Sequence, residues 1–185
     1  MITTRTLLPA VAACLLVSRV AAAQMPPLPK PGPEHQILAM DAGTWDAVVE
    51  MAAGPGSPAT TSKGSEVVTL ACGGLCVVND FNSELMPGMP FNGHGMTAYD
   101  PAKKKYVGSW TDSMSAGLLL SEGSYDAATK IVTSWMEAPG PTGATVKTKS
   151  TMQYTDADHR VMTMYVPGPD GKDMQTMKIS YTRRK

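Results

Sequence analysis

Turn chemistry at a regular spacing constrains this chain more than any other feature. Tyr99-Asp100-Pro101-Ala102-Lys103-Lys104, Tyr125-Asp126-Ala127-Ala128-Thr129-Lys130 and Tyr154-Thr155-Asp156-Ala157-Asp158-His159 share one shape. In each an Asp opens a turn, because its short carboxylate can accept hydrogen bonds from backbone N–H groups just ahead. Pro167-Gly168-Pro169-Asp170-Gly171 is a further turn. Between these signals lie runs that alternate apolar and polar residues, the period of a half-buried strand. The densest stretch is Phe91–Asp126, which holds three such runs.

The runs expected as strands are Ala42–Met51, Lys63–Leu70, Leu75–Leu85, Phe91–Tyr99, Lys105–Asp112, Ala116–Ser124, Lys130–Glu137, Thr145–Tyr154, His159–Val166 and Met174–Arg183. Gly54–Ser62 and Ala138–Gly143 read as loops. Met86-Pro87-Gly88-Met89-Pro90 reads as an interruption, since proline cannot donate to a ladder. Pro33–Met40 carries helix signals: Pro33 in the first turn, Glu34 near the positive dipole end, and Ile37, Leu38 and Met40 able to face inward. The expectation is an all-β protein, an antiparallel up-and-down barrel of about nine or ten strands with a short N-terminal helix. Closure removes the exposed edges that such strands would otherwise present. A chain of 185 residues makes one such domain, here 33–185, behind a Pro-rich leader at 24–32.

Met1–Ala23 has the form of a secretory signal: Arg5, an apolar run Leu7–Val17, and Ala21-Ala22-Ala23 as the small-residue cleavage site. The apolar run is too short to span a bilayer comfortably. Val11-Ala12-Ala13-Cys14 resembles a lipobox, but apolar residues continue past Cys14. We therefore expect export to a periplasm or beyond, with no transmembrane segment in the mature chain. Losing Arg5 and Arg19 with the signal takes 16 basic residues to 14 against 16 acidic. With no basic stripe, nucleic acid is excluded as an expected partner.

Cys72 and Cys76 remain in an oxidising compartment, where thiols pair. A three-residue Gly73-Gly74-Leu75 hairpin loop sets them opposite each other, within bridging reach. A two-residue Gly-Gly turn shifts the register and separates them. The expectation is the bridge.

Five segments together carry a family resemblance: Pro31–Leu38 (PGPEHQIL), Gly43-Thr44-Trp45, Met89–Asp112 (MPFNGHGMTAYDPAKKKYVGSWTD), Ser121–Asp126 (SEGSYD) and Gly168–Lys185 (GPDGKDMQTMKISYTRRK). The chain resembles the bacterial domain-of-unknown-function family 1579 over nearly all of its mature length. That resemblance implies a lipocalin-like (calycin) barrel, in which the Trp of a G-x-W start plugs the floor. It implies no activity. The Cys pair and His94 depart from the family's usual pattern.

The default site of a small barrel is its lumen or mouth. Period-two reading puts Tyr106, Gly108, Trp110 and Asp112 on one face, with Met114 extending the row; Leu118, Leu120 and Glu122 share a face of the next strand. Trp45, Phe91 and Trp135 are the other large apolar side chains expected to point inward. The expected ligand-binding set is Trp45, Phe91, His94, Trp110, Asp112, Met114, Glu122 and Trp135, enclosing a small, mostly apolar molecule. Other readings stay open. One is a filled barrel acting as an interaction or envelope-associated module. Another is a hydrolytic pair made by Asp112 and Glu122. A third is copper held by Met86, Met89, His94 and Met96, since thioether plus imidazole suits Cu(I). Haem through His35, His94 or His159 is a fourth. No cofactor motif and no phosphate-binding or zinc-binding spacing is present, and the oligomeric state is not encoded in any recognisable signal.

Overall fold

The computed structural model describes residues 27–52, 58–86, 88–139, 144–168 and 170–185. The expected signal segment Met1–Ala23 and its Cys14 lie outside them. A 3-10 turn at Pro33–His35 runs into helix α1 (Gln36–Asp41). Ten strands follow: β1 (Gly43–Met51), β2 (Thr60–Ala71), β3 (Cys76–Met86), β4 (Met89–Asp100), β5 (Lys105–Asp112), β6 (Leu119–Asp126), β7 (Ile131–Pro139), β8 (Thr145–Tyr154), β9 (His159–Pro167) and β10 (Asp173–Arg183). Each pairs antiparallel with its sequence neighbours, and β1 closes on β10. The result is an up-and-down barrel.

Alternation sets which side faces in. On β1, Trp45, Ala47 and Val49 are buried while Asp46 and Val48 are exposed. Cross-strand register carries the inward row around the wall: Trp45 sits opposite Glu66, Glu66 opposite Phe81, and Phe81 opposite Gly93. The core is this inner face together with Ile37 and Leu38 from α1.

An up-and-down barrel sends alternate hairpins to opposite ends. The three Tyr/Asp turns and the Cys hairpin all fall at the end that α1 closes. At each Tyr/Asp turn the Asp accepts the backbone N–H two residues ahead: Asp100 from Ala102, Asp126 from Ala128, Asp156 from Asp158. A six-residue helix is too short to stand alone, and barrel side chains hold it by its carbonyls. Trp45 Nε1 donates to the Asp41 carbonyl at 2.9 Å, and Tyr106 donates to that of Glu34 at 2.8 Å. Arg183 donates to those of Met40 and Ala42 at 2.7 and 2.6 Å. The orphan acceptors of the helix end are thereby satisfied. Gly43 has φ 142°, and a Cβ there would meet the Arg183 guanidinium at 2.3 Å. This is why the residue two before Trp45 must be glycine.

Two expectations need correction. The ladder does not break before Phe91: β3 and β4 pair through Pro90, which lies opposite Glu84 beside a register shift. A hairpin end next to a bulge has little need of the missing N–H. The Cys hairpin has neither of the loops considered. Cys76 lies opposite Ala71, and Cys72 starts a 3-10 turn. The disulfide forms nonetheless, with Cα atoms 5.5 Å apart, because Cys72 adopts φ 54° and turns back toward its partner.

Candidate functional site

The inner face is layered. At the closed end, Trp45 is fully buried between two guanidinium groups, with Arg160 Cζ 4.2 Å and Arg183 Cζ 4.0 Å from its ring centroid. Toward the mouth, Phe81 meets Phe91 and Tyr181 edge-on at 6.1 and 6.4 Å. Trp110 lies across β4: a Cβ at Gly93 or Gly95 would come within 2.1 or 3.0 Å of its ring. Asp112 fixes that ring, accepting from Trp110 Nε1 at 2.9 Å and also from the Met114 backbone N–H.

Between the aromatic layer and α1 is a cavity of about 180 Å³. Its apolar wall includes Ile37, Leu38, Val68, Val77, Val132, Met152 and Met162; its polar wall includes Asp41, Glu66, Asn79, Ser134, Ser150 and Arg160. Arg160 is only 1% exposed and bridges two carboxylates, Asp41 through Nη1 and Glu66 through Nη2. Tyr154 donates to Asp41 at 2.9 Å, and Asn79 donates to Glu66 at 2.9 Å. Burial raises the Glu66 carboxyl above its ordinary range, against the pull of Arg160. Burial alone would lower the Arg160 pKa, but Asp41 and Glu66 together raise it. Burial holds Tyr154 and Tyr181 well above the ordinary phenol value and pushes Tyr106 up to about 12.

None of the eight residues expected to bind ligand lines this cavity. Trp45, Phe91, Trp110 and Asp112 face inward but build the layers beside it. Glu122 and Trp135 are paired opposite each other on the outer surface, where Glu122 binds Lys103 and Trp135 is 40% exposed. Met114, past the end of β5, is 59% exposed. His94 points outward to Asp80. The parity count for β6 was correct, but the row Leu118, Leu120 and Glu122 is the outer one; Gly123 and Tyr125 share the inner phase. Asp112 and Glu122 thus sit on opposite sides of the wall and form no hydrolytic pair. Met96 and His94 are exposed on the outer face of β4, and the side chain of Met86 lies outside the described residues. Among the described residues no group of three or more His, Cys, Asp or Glu is placed to hold a metal ion. His35 accepts the Gly32 N–H beside the helix, and His159 binds Asp156 at its turn, so no histidine reaches the lumen.

Sequence reading missed Asp41, Glu66 and Arg160. The signal was present: Arg160 has the parity of Met162 and Met164, and Glu66 that of Val68. A charge in the inward phase of two strands is the mark of a buried pair.

The family described as protein of unknown function, DUF1579, matches residues 30–183. The chain belongs to DUF1579. Among solved structures, Rv2717c from M. tuberculosis superposes with a TM-score of 0.61 at 12% identity, over 83% of this chain and 99% of that one. The S-type phycobiliprotein lyase CPES from Guillardia theta gives 0.55 at 10% identity, over 84% and 99%. These likenesses are of fold alone, and they place this DUF1579 member among lipocalin-like ten-strand barrels. No curated protein matches its sequence. Among the described residues no helix is long and apolar enough to cross a membrane.

Proposed function

We propose that this protein is an exported barrel that binds a compact small molecule in its lumen. The observation carrying the reading is the cavity of about 180 Å³ between α1 and the aromatic layer, with apolar walls and a few convergent polar groups. That mixture is typical of ligand pockets, although ordinary drug-sized sites start near ~300 Å³. A comparable cavity of ~150 Å³ accepts benzene, so the ligand is a molecule on the order of six to ten non-hydrogen atoms, below haem or a long acyl chain. Burial against Val, Met and Ile supplies affinity, and the polar wall supplies orientation. Export rests on the N-terminal segment, and a Cys72–Cys76 bridge suits an oxidising compartment.

Native against denaturing mass spectrometry of protein taken from its own exported fraction tests both parts. The expected result is a chain beginning at Gln24, with an added organic mass lost on denaturation. A chain retaining Met1–Ala23 contradicts export. Absence of added mass, together with no small-molecule hit in a fragment screen by methyl NMR, contradicts lumen binding.

One observation favours a second reading, an interaction module. Register aligns Val78, Met96, Ser109 and Leu120 across the outer face of β3 to β6, and the three apolar members of that row are exposed. Exposed apolar surface of this kind marks contact sites when it is contiguous.

A further inference from the structure

With both carboxylates ionised, the charges around the lumen cavity do not balance. Three elements bring ionisable groups of opposite sign to it: α1 contributes Asp41, β2 contributes Glu66 and β9 contributes Arg160. Two carboxylates therefore share one guanidinium. Tyr106 and Tyr154 also face the cavity, and Tyr181 packs on Arg160 from β10; burial keeps all three phenols neutral. Arg183 does not redress the deficit. It stacks on Trp45, and both its Nη groups go to the carbonyls of Met40 and Ala42.

Hydrogen-bonding capacity is biased the same way. Arg160 has given Nη1 and Nη2 to Asp41 and Glu66, has its plane held by the faces of Trp45 and Tyr181, and keeps one buried donor, Nε–H, without a partner. It cannot turn to an incoming anion without abandoning a buried carboxylate. Against that single N–H, acceptors with room for a further donor are more numerous. Both hydrogen bonds to Asp41 land on Oδ1, which leaves Oδ2. Each Glu66 oxygen takes one donor and can take another. Ser134 and Ser150, directly paired across β7 and β8, add two hydroxyls that can also accept.

We propose that the lumen cavity takes a small organic cation, a primary or secondary ammonium on a compact apolar body, with the ammonium at Asp41 and Glu66. This rests on the lumen-binding reading and names its ligand class. The ammonium brings the wall to neutrality and offers donors to the spare acceptors, which is what makes a buried charge tolerable. Val68, Val77, Val132 and the two methionines enclose the body. A carboxylate of the same shape meets two carboxylates instead, and like charges at close quarters in a poorly solvated site repel strongly. In the empty cavity burial holds the Glu66 carboxyl in the protonated direction, which offsets part of the negative surplus, and an adjacent ammonium draws it back toward ionisation.

The test is calorimetric titration of the purified full chain with three probes of one shape: cyclohexylammonium, cyclohexanol and cyclohexanecarboxylate. The expected order is the ammonium tightest, the alcohol weaker by about tenfold, and the carboxylate without measurable binding. Glu66→Gln should weaken the ammonium about tenfold while moving cyclohexanol by less than about threefold. The wild-type series stands by itself if that variant does not fold. Equal binding of all three probes, or a preference for the carboxylate, overturns the cation assignment and leaves lumen binding standing. Failure of all three at millimolar concentration overturns both.

Discussion

Arg160 is the residue on which the closed end depends. Its burial is tolerable only because Asp41 and Glu66 meet it. The stabilisation is conditional, since buried pairs owe much of their measured effect to the cost of breaking them. Arg160→Met leaves two carboxylates beneath the aromatic layer without a cation. We expect a loss of about 3–5 kcal/mol in urea denaturation. The double change Arg160→Met/Glu66→Gln should lose less than the single one, and simple additivity would show that the two groups do not act as a unit. Glu66 also gives a pH signature. Its carboxyl is raised above its ordinary 4.5 in the folded protein, so the folded state holds the proton more tightly than the unfolded chain. Its contribution is present in full below pH 4.5 and is lost as pH rises through the folded value. Denaturation profiles of wild type and Glu66→Gln between acid and neutral pH should therefore diverge, with wild type losing ground as pH rises. Parallel profiles would contradict the shift.

Among the elements, those with local chemical causes are legible in the sequence. Asp100, Asp126 and Asp156 each do what a turn aspartate does, so strand ends around them fall within a residue or two of expectation. β5 and β8 coincide with their expected limits. The elements misjudged are those set by non-local geometry. Pro90 sits in a ladder because the bulge lies next to it, and Cys72 reaches Cys76 through a backbone angle that no spacing rule supplies. That disulfide closes a very short loop on a hairpin already laddered from Gly64–Ser83 to Ala71–Cys76. The double change Cys72→Ser/Cys76→Ser should therefore cost about 2 kcal/mol or less and leave the near-ultraviolet dichroism of the aromatics in place. Loss of that spectrum would mean that the bridge organises the core.

For the whole molecule, the barrel was legible and the site was not, and the physical reason is the same. Period-two alternation says which residues share a side of a strand, but not which side is inside when both carry apolar residues. On β5 the large row Tyr106, Trp110 faced in as expected; on β6 Leu119, Ser121, Gly123 and Tyr125 share the inner phase, and the expected row of Leu118, Leu120 and Glu122 faces out. A lumen filled by Trp110 needs the glycines Gly93 and Gly95 beside it on β4, which is a volume argument spanning strands that no single strand displays. The family match to DUF1579 secures the architecture and carries no chemistry to replace that argument.

Strand parity has a last consequence, for engineering. The five hairpins at the open end connect β1 to β2, β3 to β4, β5 to β6, β7 to β8 and β9 to β10. Not one of them touches the strand ends that grip α1. The strand ends they join are far apart along the chain but lie at one end of the barrel, and the connecting sequences are rich in Gly, Pro and Ser, as in Gly54-Pro55-Gly56-Ser57-Pro58. Loop tips of this composition are where chains best tolerate insertion. The open end thus offers five separate connections for rewriting on one scaffold, whereas at the opposite end Arg183, Trp45 and Tyr154 are committed to holding α1.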